Sequence, residues 1–189
     1  MMCHVAAMGN RTSRRVLVVP GRDESVNDVR RWFESFDEVN GIDFYQAMAR
    51  LDFRAQVARV THLLDGVSPD EALLAGRSFG AWILLHSLLV RANPFAGTVL
   101  LFAPVLGCGG RGCAGFIAPR ARPFWTDVRA GRSMPALRLI LVVGRHDPQC
   151  PIELARELAT WWPIELYECE ADHTLGPWTS ADVDRILRT

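Results

Sequence analysis

Lysine is missing from this 189-residue chain: all 21 of its basic residues are arginine. The absence removes several chemistries at once. A Schiff base with a carbonyl substrate, a Walker-type phosphate loop and Ser–Lys catalysis each need the amine of a lysine. An excess of charge is missing too, because 21 Asp and Glu offset the 21 Arg. No basic face for nucleic acid or an anionic membrane is therefore expected. Long apolar runs are also lacking. The segment Trp82 to Val90 is interrupted by His86 and Ser87 and falls well short of the roughly 18 residues of a membrane span. Met1 to Arg15 holds no apolar core of signal-peptide length, and Asn10 to Arg15 reads as a loose polar tail. Cysteines are few, scattered and odd in number (Cys3, Cys108, Cys113, Cys150, Cys169). They do not make a disulfide framework, so a soluble protein in a reduced, cytoplasmic setting is expected.

What the chain does contain is the material of one domain. The apolar share of 49% argues against disorder, and the length suits a single substantial core. Short runs at Val16–Val19, Ala72–Ala75, Thr98–Phe102 and Leu137–Val143 are apolar on both faces, as strands covered on each side must be. Ile42–Tyr45 and Ile164–Cys169 are weaker strand candidates, the second suited to an edge by Glu165 and Glu168. Helical spacing links Val26, Val29, Phe33 and Phe36, then Phe53, Val57, Val60 and Leu64, then Leu154, Leu158 and Trp161. Ser25-Val26-Asn27-Asp28 and Thr179-Ser180-Ala181-Asp182 have the form of capping boxes, the second opening a helix with Val183, Ile186 and Leu187. Pro151 stands near the start of the third stripe, where its missing N–H costs little. Strand and helix alternate about six times, which implies a doubly wound, mostly parallel α/β sheet with helices on both faces. Residues 1–15 are expected as a flexible tail and 16–189 as one domain. Within it, 107–134 is rich in Gly, Arg and Pro and is expected to be an irregular segment covering a pocket.

The most informative residues are Gly76-Arg77-Ser78-Phe79-Gly80. They follow an expected strand and open the apolar helix Ala81–Val90. A serine on a tight strand-to-helix turn, with glycines letting the backbone pass close by, is a nucleophile elbow. Free N–H groups of the helix start would face developing negative charge. A serine hydroxyl needs a base, and the base needs a carboxylate behind it. Of five histidines, His4 lies in the tail, His62 on a helix face, His86 two turns past Ser78, and His146 beside an acid. His173 follows the last expected strand, on a loop where α/β sheets place their chemistry. Asp147, in Gly144-Arg145-His146-Asp147-Pro148, follows the strongest late strand. Ser78, Asp147 and His173 are the expected nucleophile, acid and base.

These residues, in the order Ser78, Asp147, His173, resemble the α/β-hydrolase superfamily from Val16 to the end of the chain, in a compact form with little or no cap. Gly76-Arg77-Ser78-Phe79-Gly80-Ala81 is similar to the elbows of dienelactone-hydrolase-like and small acyl-esterase branches. The resemblance implies a sheet that begins at the superfamily's third strand. It also implies an oxyanion hole made by the backbone N–H of Phe79 and one from Gly21 or Arg22. Pro20-Gly21 stands where the superfamily often has His-Gly. The implied activity is hydrolysis of a carboxylic ester or thioester through an acyl-enzyme on Ser78. Its expected partner is a small acyl substrate, with no cofactor and no metal ion. Arg77, Phe116 and Trp125 are candidate pocket residues, the last two as acyl contacts on a mobile wall. For Arg77 and Arg22, a surface salt bridge is favoured over steering of an acidic substrate. Cys108 and Cys113 lack a second ligand pair and read as ordinary loop thiols; Cys150 and Cys169 read as structural neighbours of the site. Two other readings compete. A catalytically silent binding or scaffold protein on the same fold is opposed by the presence of all three candidate positions. A flavodoxin-like or nucleotide-binding domain needs a glycine-rich phosphate loop after the first strand, and Pro20-Gly21-Arg22 is not one.

Overall fold

The structure, a computed structural model, describes residues 14–68, 72–107 and 118–189. Six parallel strands form one sheet: β1 (Arg15–Val19), β2 (Glu38–Gly41), β3 (Ala72–Arg77), β4 (Phe95–Phe102), β5 (Ala136–Gly144) and β6 (Glu165–Cys169), in the order β2-β1-β3-β4-β5-β6. The helices are α1 (Val26–Val29), continued by a 3-10 turn at Arg30–Trp32, then α2 (Phe44–Ala47), α3 (Phe53–Leu64), α4 (Ser78–Leu89), α5 (Ala121–Arg129), α6 (Ile152–Trp161) and α7 (Ser180–Leu187). Among the described residues no helix is long and apolar enough to cross a membrane.

Strand residues alternate between two cores, as the two-residue period of a strand dictates. Leu74, Val99, Leu101, Leu139, Leu141 and Val143 pack with residues of α2 to α6. Leu73, Ala75, Leu100, Phe102, Ile140 and Val142 pack with α1, the 3-10 turn and α7. In the second core Trp32 stacks on Phe102 (centroids 4.5 Å apart) and donates its indole N–H to Trp178 O at 3.2 Å. This joins the start and end of the chain across the middle of the sheet. Both capping boxes are present, Ser25 with Asp28 and Thr179 with Asp182.

Three expectations are corrected. Ile42–Tyr45 is not a strand. The strand lies just before it, and Asp43 turns its Oδ1 to the Val26 N–H at 2.6 Å as the N-cap of α2. On α6 the buried stripe is Ile152, Ala155 and Leu158, continued by Trp162, while Trp161 is exposed. Within 107–134 the chain is not irregular throughout, because α5 packs Phe124, Trp125 and Val128 into the first core.

The helix α4 runs through the first core and is buried almost all round, the pattern of a helix covered on every side. Its one ionisable side chain, His86, sits against the rings of Phe53, Trp82 and Phe124, at centroid distances of 5.1, 4.4 and 5.7 Å. Burial, assisted by the positive charges of Arg120 and Arg132, lowers its pKa from 6.5 to about 4. Unfolding releases an imidazole of ordinary basicity, so between these values the unfolded state binds more protons than the native one. His86 therefore leaves stability intact above about pH 6.5 and erodes it as pH falls toward 4. In His86→Leu, the loss of unfolding free energy between pH 7 and 4 should be smaller than in the wild type by about 3 kcal/mol. Urea titrations at several pH values measure the difference, and parallel pH profiles for the two proteins would contradict it.

Candidate active site

The strand order reverses at β1: the chain moves outward to β2 and then returns to β3 on the other side. Loops leaving the C-terminal ends of β1 and β3 consequently diverge and open a crevice, the usual ligand site of an open α/β sheet. Ser78 sits at the mouth of this crevice, immediately after β3, with φ of 53°. A left-handed φ costs a non-glycine residue about 1–3 kcal/mol and persists only where the surroundings enforce it. The surroundings here are tight. A Cβ on Gly80 would collide with the carbonyl oxygens of Val19 and Pro20, and one on Gly76 would lie 2.6 Å from Ala81 Cα. The glycines thus let α4 press against β3 and the loop after β1 with the serine at the top.

The other two side chains come from adjacent loops. Asp147 follows β5, in a turn closed by its own N–H on Gly144 O at 3.2 Å. His173 follows β6, and its loop is tied to the Asp147 loop by His146 N–H donating to Ala171 O at 3.0 Å. Asp172 shapes the next residues by accepting from the N–H and hydroxyl of Thr174 at 2.8 and 2.6 Å. Ser78 Oγ lies 2.7 Å from His173 Nε2, and His173 Nδ1 lies 2.7 Å from Asp147 Oδ2. The Asp147 side chain has no solvent exposure. Its Oδ1 accepts from the N–H groups of Gln149 at 2.7 Å and Cys150 at 3.0 Å. With Asp147 an acceptor, the ring hydrogen of a neutral His173 belongs on Nδ1, which leaves Nε2 to take a proton from the serine.

Among the described residues, the other histidine and cysteine side chains are not members of this relay. His146 pairs with Glu170 at the surface, 3.0 Å away, and His62 is exposed on α3. The Cys150 thiol is fully buried, and burial together with Asp147 pushes its pKa well above the usual range, which disfavours the thiolate. Among the described residues no group of three or more His, Cys, Asp or Glu is placed to hold a metal ion.

A cavity of about 320 Å³ opens at Ser78, lined by Gly21, Arg22, Asp23, Glu24, Arg77, Ser78, Phe79, Val105, Gln149 and His173. Of the two loop residues expected as oxyanion donors, Gly21 already gives its N–H to Glu24 Oε2 at 3.0 Å. Arg22 lines the cavity with its guanidinium carbon 5.3 Å from the Phe79 ring centre. Phe79 belongs to the first turn of α4, where backbone N–H groups lack partners within the helix. Arg77 is not a surface residue as expected. It is 4% exposed, donates from Nη2 to His173 O at 2.6 Å, and faces Glu24 at 3.6 Å. Burial pulls its pKa below the ordinary value, while Glu24 and Asp147 oppose the shift. Trp125 does not reach the cavity: its ring is buried on α5, and its Nε1 donates to Leu106 O at 3.0 Å. Phe116 and the Cys108–Cys113 pair lie outside the described residues. Glu24, Val105 and Gln149 were not foreseen, since nothing in their spacing marks them.

No protein-family model and no curated protein sequence matches this chain. Solved structures do share its fold. Carboxylesterase CesB (YbfK) from Bacillus subtilis superposes with a TM-score of 0.64 at 14% identity, over 95% of this chain and 84% of that one. Esterase PE8 gives 0.59 at 16% identity, over 94% and 92%. Alpha/beta hydrolase domain-containing protein 10 from mouse gives 0.59 at 14% identity, over 91% and 86%. The chain therefore has the α/β-hydrolase fold, in a minimal six-stranded form.

The close approach at Gly80 has a measurable consequence. Gly80→Ala should lower unfolding free energy by about 1–3 kcal/mol, the range for forcing a methyl group into filled space. Urea denaturation of the variant measures the loss, and an unchanged midpoint would show that the loop after β1 can give way.

Proposed function

We propose that this protein is a serine hydrolase that cleaves a carboxylic ester or thioester through an acyl-enzyme on Ser78. The observation that carries this reading is the continuous path from a hydroxyl that lines a cavity through an imidazole to a fully buried carboxylate, with both steps at 2.7 Å. The solved structures that share its fold include a carboxylesterase and an esterase, which agrees with hydrolysis as the reaction class.

In this mechanism the substrate carbonyl enters the crevice above Ser78. The Oγ forms a bond to the carbonyl carbon while His173 Nε2 takes the hydroxyl proton. The C=O electron pair moves onto oxygen, and the alkoxide is held by the backbone N–H groups of Phe79 and Arg22. Gly21 is the weaker candidate, since its N–H serves Glu24. Donors pre-aimed at developing charge are the largest single contribution to such reactions. Collapse expels the alcohol or thiol, which receives the proton from Nε2. Water then repeats the sequence on the acyl-enzyme and releases the acid. Asp147 stays ionised throughout, orienting the ring and stabilising the imidazolium. A cavity of about 320 Å³ suits a short or medium acyl group.

A fluorophosphonate probe should add once to the wild-type protein, seen as a single mass increase of the intact chain. Ser78→Ala should abolish both the adduct and the hydrolysis of p-nitrophenyl acetate and butyrate. An adduct of equal yield on Ser78→Ala would refute the assignment of the nucleophile.

A further inference from the structure

Arg77 is a buried charge that the hydrolytic scheme leaves without a task. It ends β3, directly before Ser78, and is 4% exposed. Moving a guanidinium out of water is costly unless its donors are answered. A charge-neutralising role would need only Glu24, yet Glu24 is the looser contact: Nε faces its Oε1 at 3.6 Å and makes no hydrogen bond. The short contact is to His173. Nη2 donates to the His173 carbonyl at 2.6 Å, and Nη1 lies 3.4 Å from His173 Nε2. The other carboxylate oxygen of Glu24 accepts the N–H of Gly21 at 3.0 Å. One path of contacts thus runs from the loop after β1, through Glu24 and Arg77, to the loop that carries His173.

We propose that Arg77 is a positioning residue for His173, holding the imidazole in the place and tautomer that let Nε2 face Ser78, with Glu24 anchoring the guanidinium to the loop after β1. The inference rests on the serine-hydrolase reading. Two physical effects support it. The flanking residues Asp172 and Thr174 are exposed, so the bond to the His173 carbonyl adds a buried anchor to a turn held otherwise by its own hydrogen bonds. A guanidinium can only donate, so the positively charged Nη1 group 3.4 Å from Nε2 disfavours a hydrogen at that ring atom by repulsion. Arg77 and Asp147 therefore act from opposite edges of the ring to keep the hydrogen on Nδ1. A lysine would not substitute, because a single ammonium cannot address both the carbonyl and the ring with a rigid fork.

The test uses the rate of fluorophosphonate labelling, which depends on the serine and its base more than on substrate recognition. Folded Arg77→Met should label about 100-fold more slowly than wild type, the scale of a misplaced catalytic group. Added methylguanidinium should restore part of the rate, whereas Arg77→Lys should stay slow. The downfield proton signal of the His173–Asp147 hydrogen bond, assigned by its loss in His173→Ala, should shift or broaden in Arg77→Met. Labelling of Arg77→Met within about threefold of wild type, or slow labelling with no rescue and an unchanged proton signal, would overturn the proposal. If Arg77→Met does not fold, Glu24→Gln decides: labelling about tenfold slower supports the path of contacts, and wild-type labelling overturns it. A wild-type protein with no Ser78-dependent adduct would instead remove the hydrolase reading on which all of this stands.

Discussion

A carboxylate with no solvent exposure has to be answered by donors, because an unpaired charge in that position would cost several kcal/mol. Asp147 has three: the N–H groups of Gln149 and Cys150 on one oxygen and the ring of His173 on the other. The need to satisfy this group organises the C-terminal edge of the sheet around it. It curls the chain after β5 back on itself, so the carboxylate points inward while Arg145 and His146 turn to the surface ion pairs with Glu168 and Glu170. It also gives the His173 ring a partner at Nδ1, on the side away from the Nε2 that faces Ser78.

That burial is possible because the sheet beneath is covered on both sides. Alternate residues of β3, β4 and β5 feed two separate cores, and the strands can be apolar along their whole length. Continuous apolar runs are therefore what made the four central strands legible in the sequence. The elbow was legible for a related reason. Glycines two residues either side of a serine, between a strand and an apolar helix, answer a steric requirement that few other residues meet, and the contacts at Gly76 and Gly80 show the requirement in force. Asp147 and His173 could be picked out because each follows a strand, so that chain position implied spatial position.

Where local sequence does not encode spatial position, the reading failed. Trp125 lies in a segment whose composition suggested a wall over the pocket, but its indole is satisfied by Leu106 O within the core. The helical period from Phe124 through Trp125 to Val128 was the available signal. Ile42–Tyr45 carries β-branched and aromatic residues, yet Asp43 supplies the Val26 N–H with a partner and starts a helical turn. Arg77 looked like a surface residue because arginine generally is. Its burial depends on the loops after β1, β3 and β6 meeting, which no window of sequence contains. Glu24 was invisible for the same reason.

Backbone strain in this molecule has a pattern that bears on the site. Among the described residues four non-glycine positions have positive φ: Arg120 caps α5, while Ser78 and Ala103 follow β3 and β4 directly and Leu175 lies on the loop after β6. These last three sit toward the C-terminal edge, where the crevice opens. Ala103 is fixed by donating its N–H to Val142 O at 2.8 Å, and Leu175 is fully buried. A fold that needed only stability would relax such positions, since each costs about 1–3 kcal/mol. Their retention on one edge means the two cores supply the free energy that holds this edge in conformations the chain would not choose alone. The same edge carries a buried carboxylate, a buried guanidinium and an imidazole within hydrogen-bond reach of a strained serine. Strain and buried charge gathered in one place, above a sheet that is otherwise regular and apolar, are the physical grounds for treating that edge as built for chemistry.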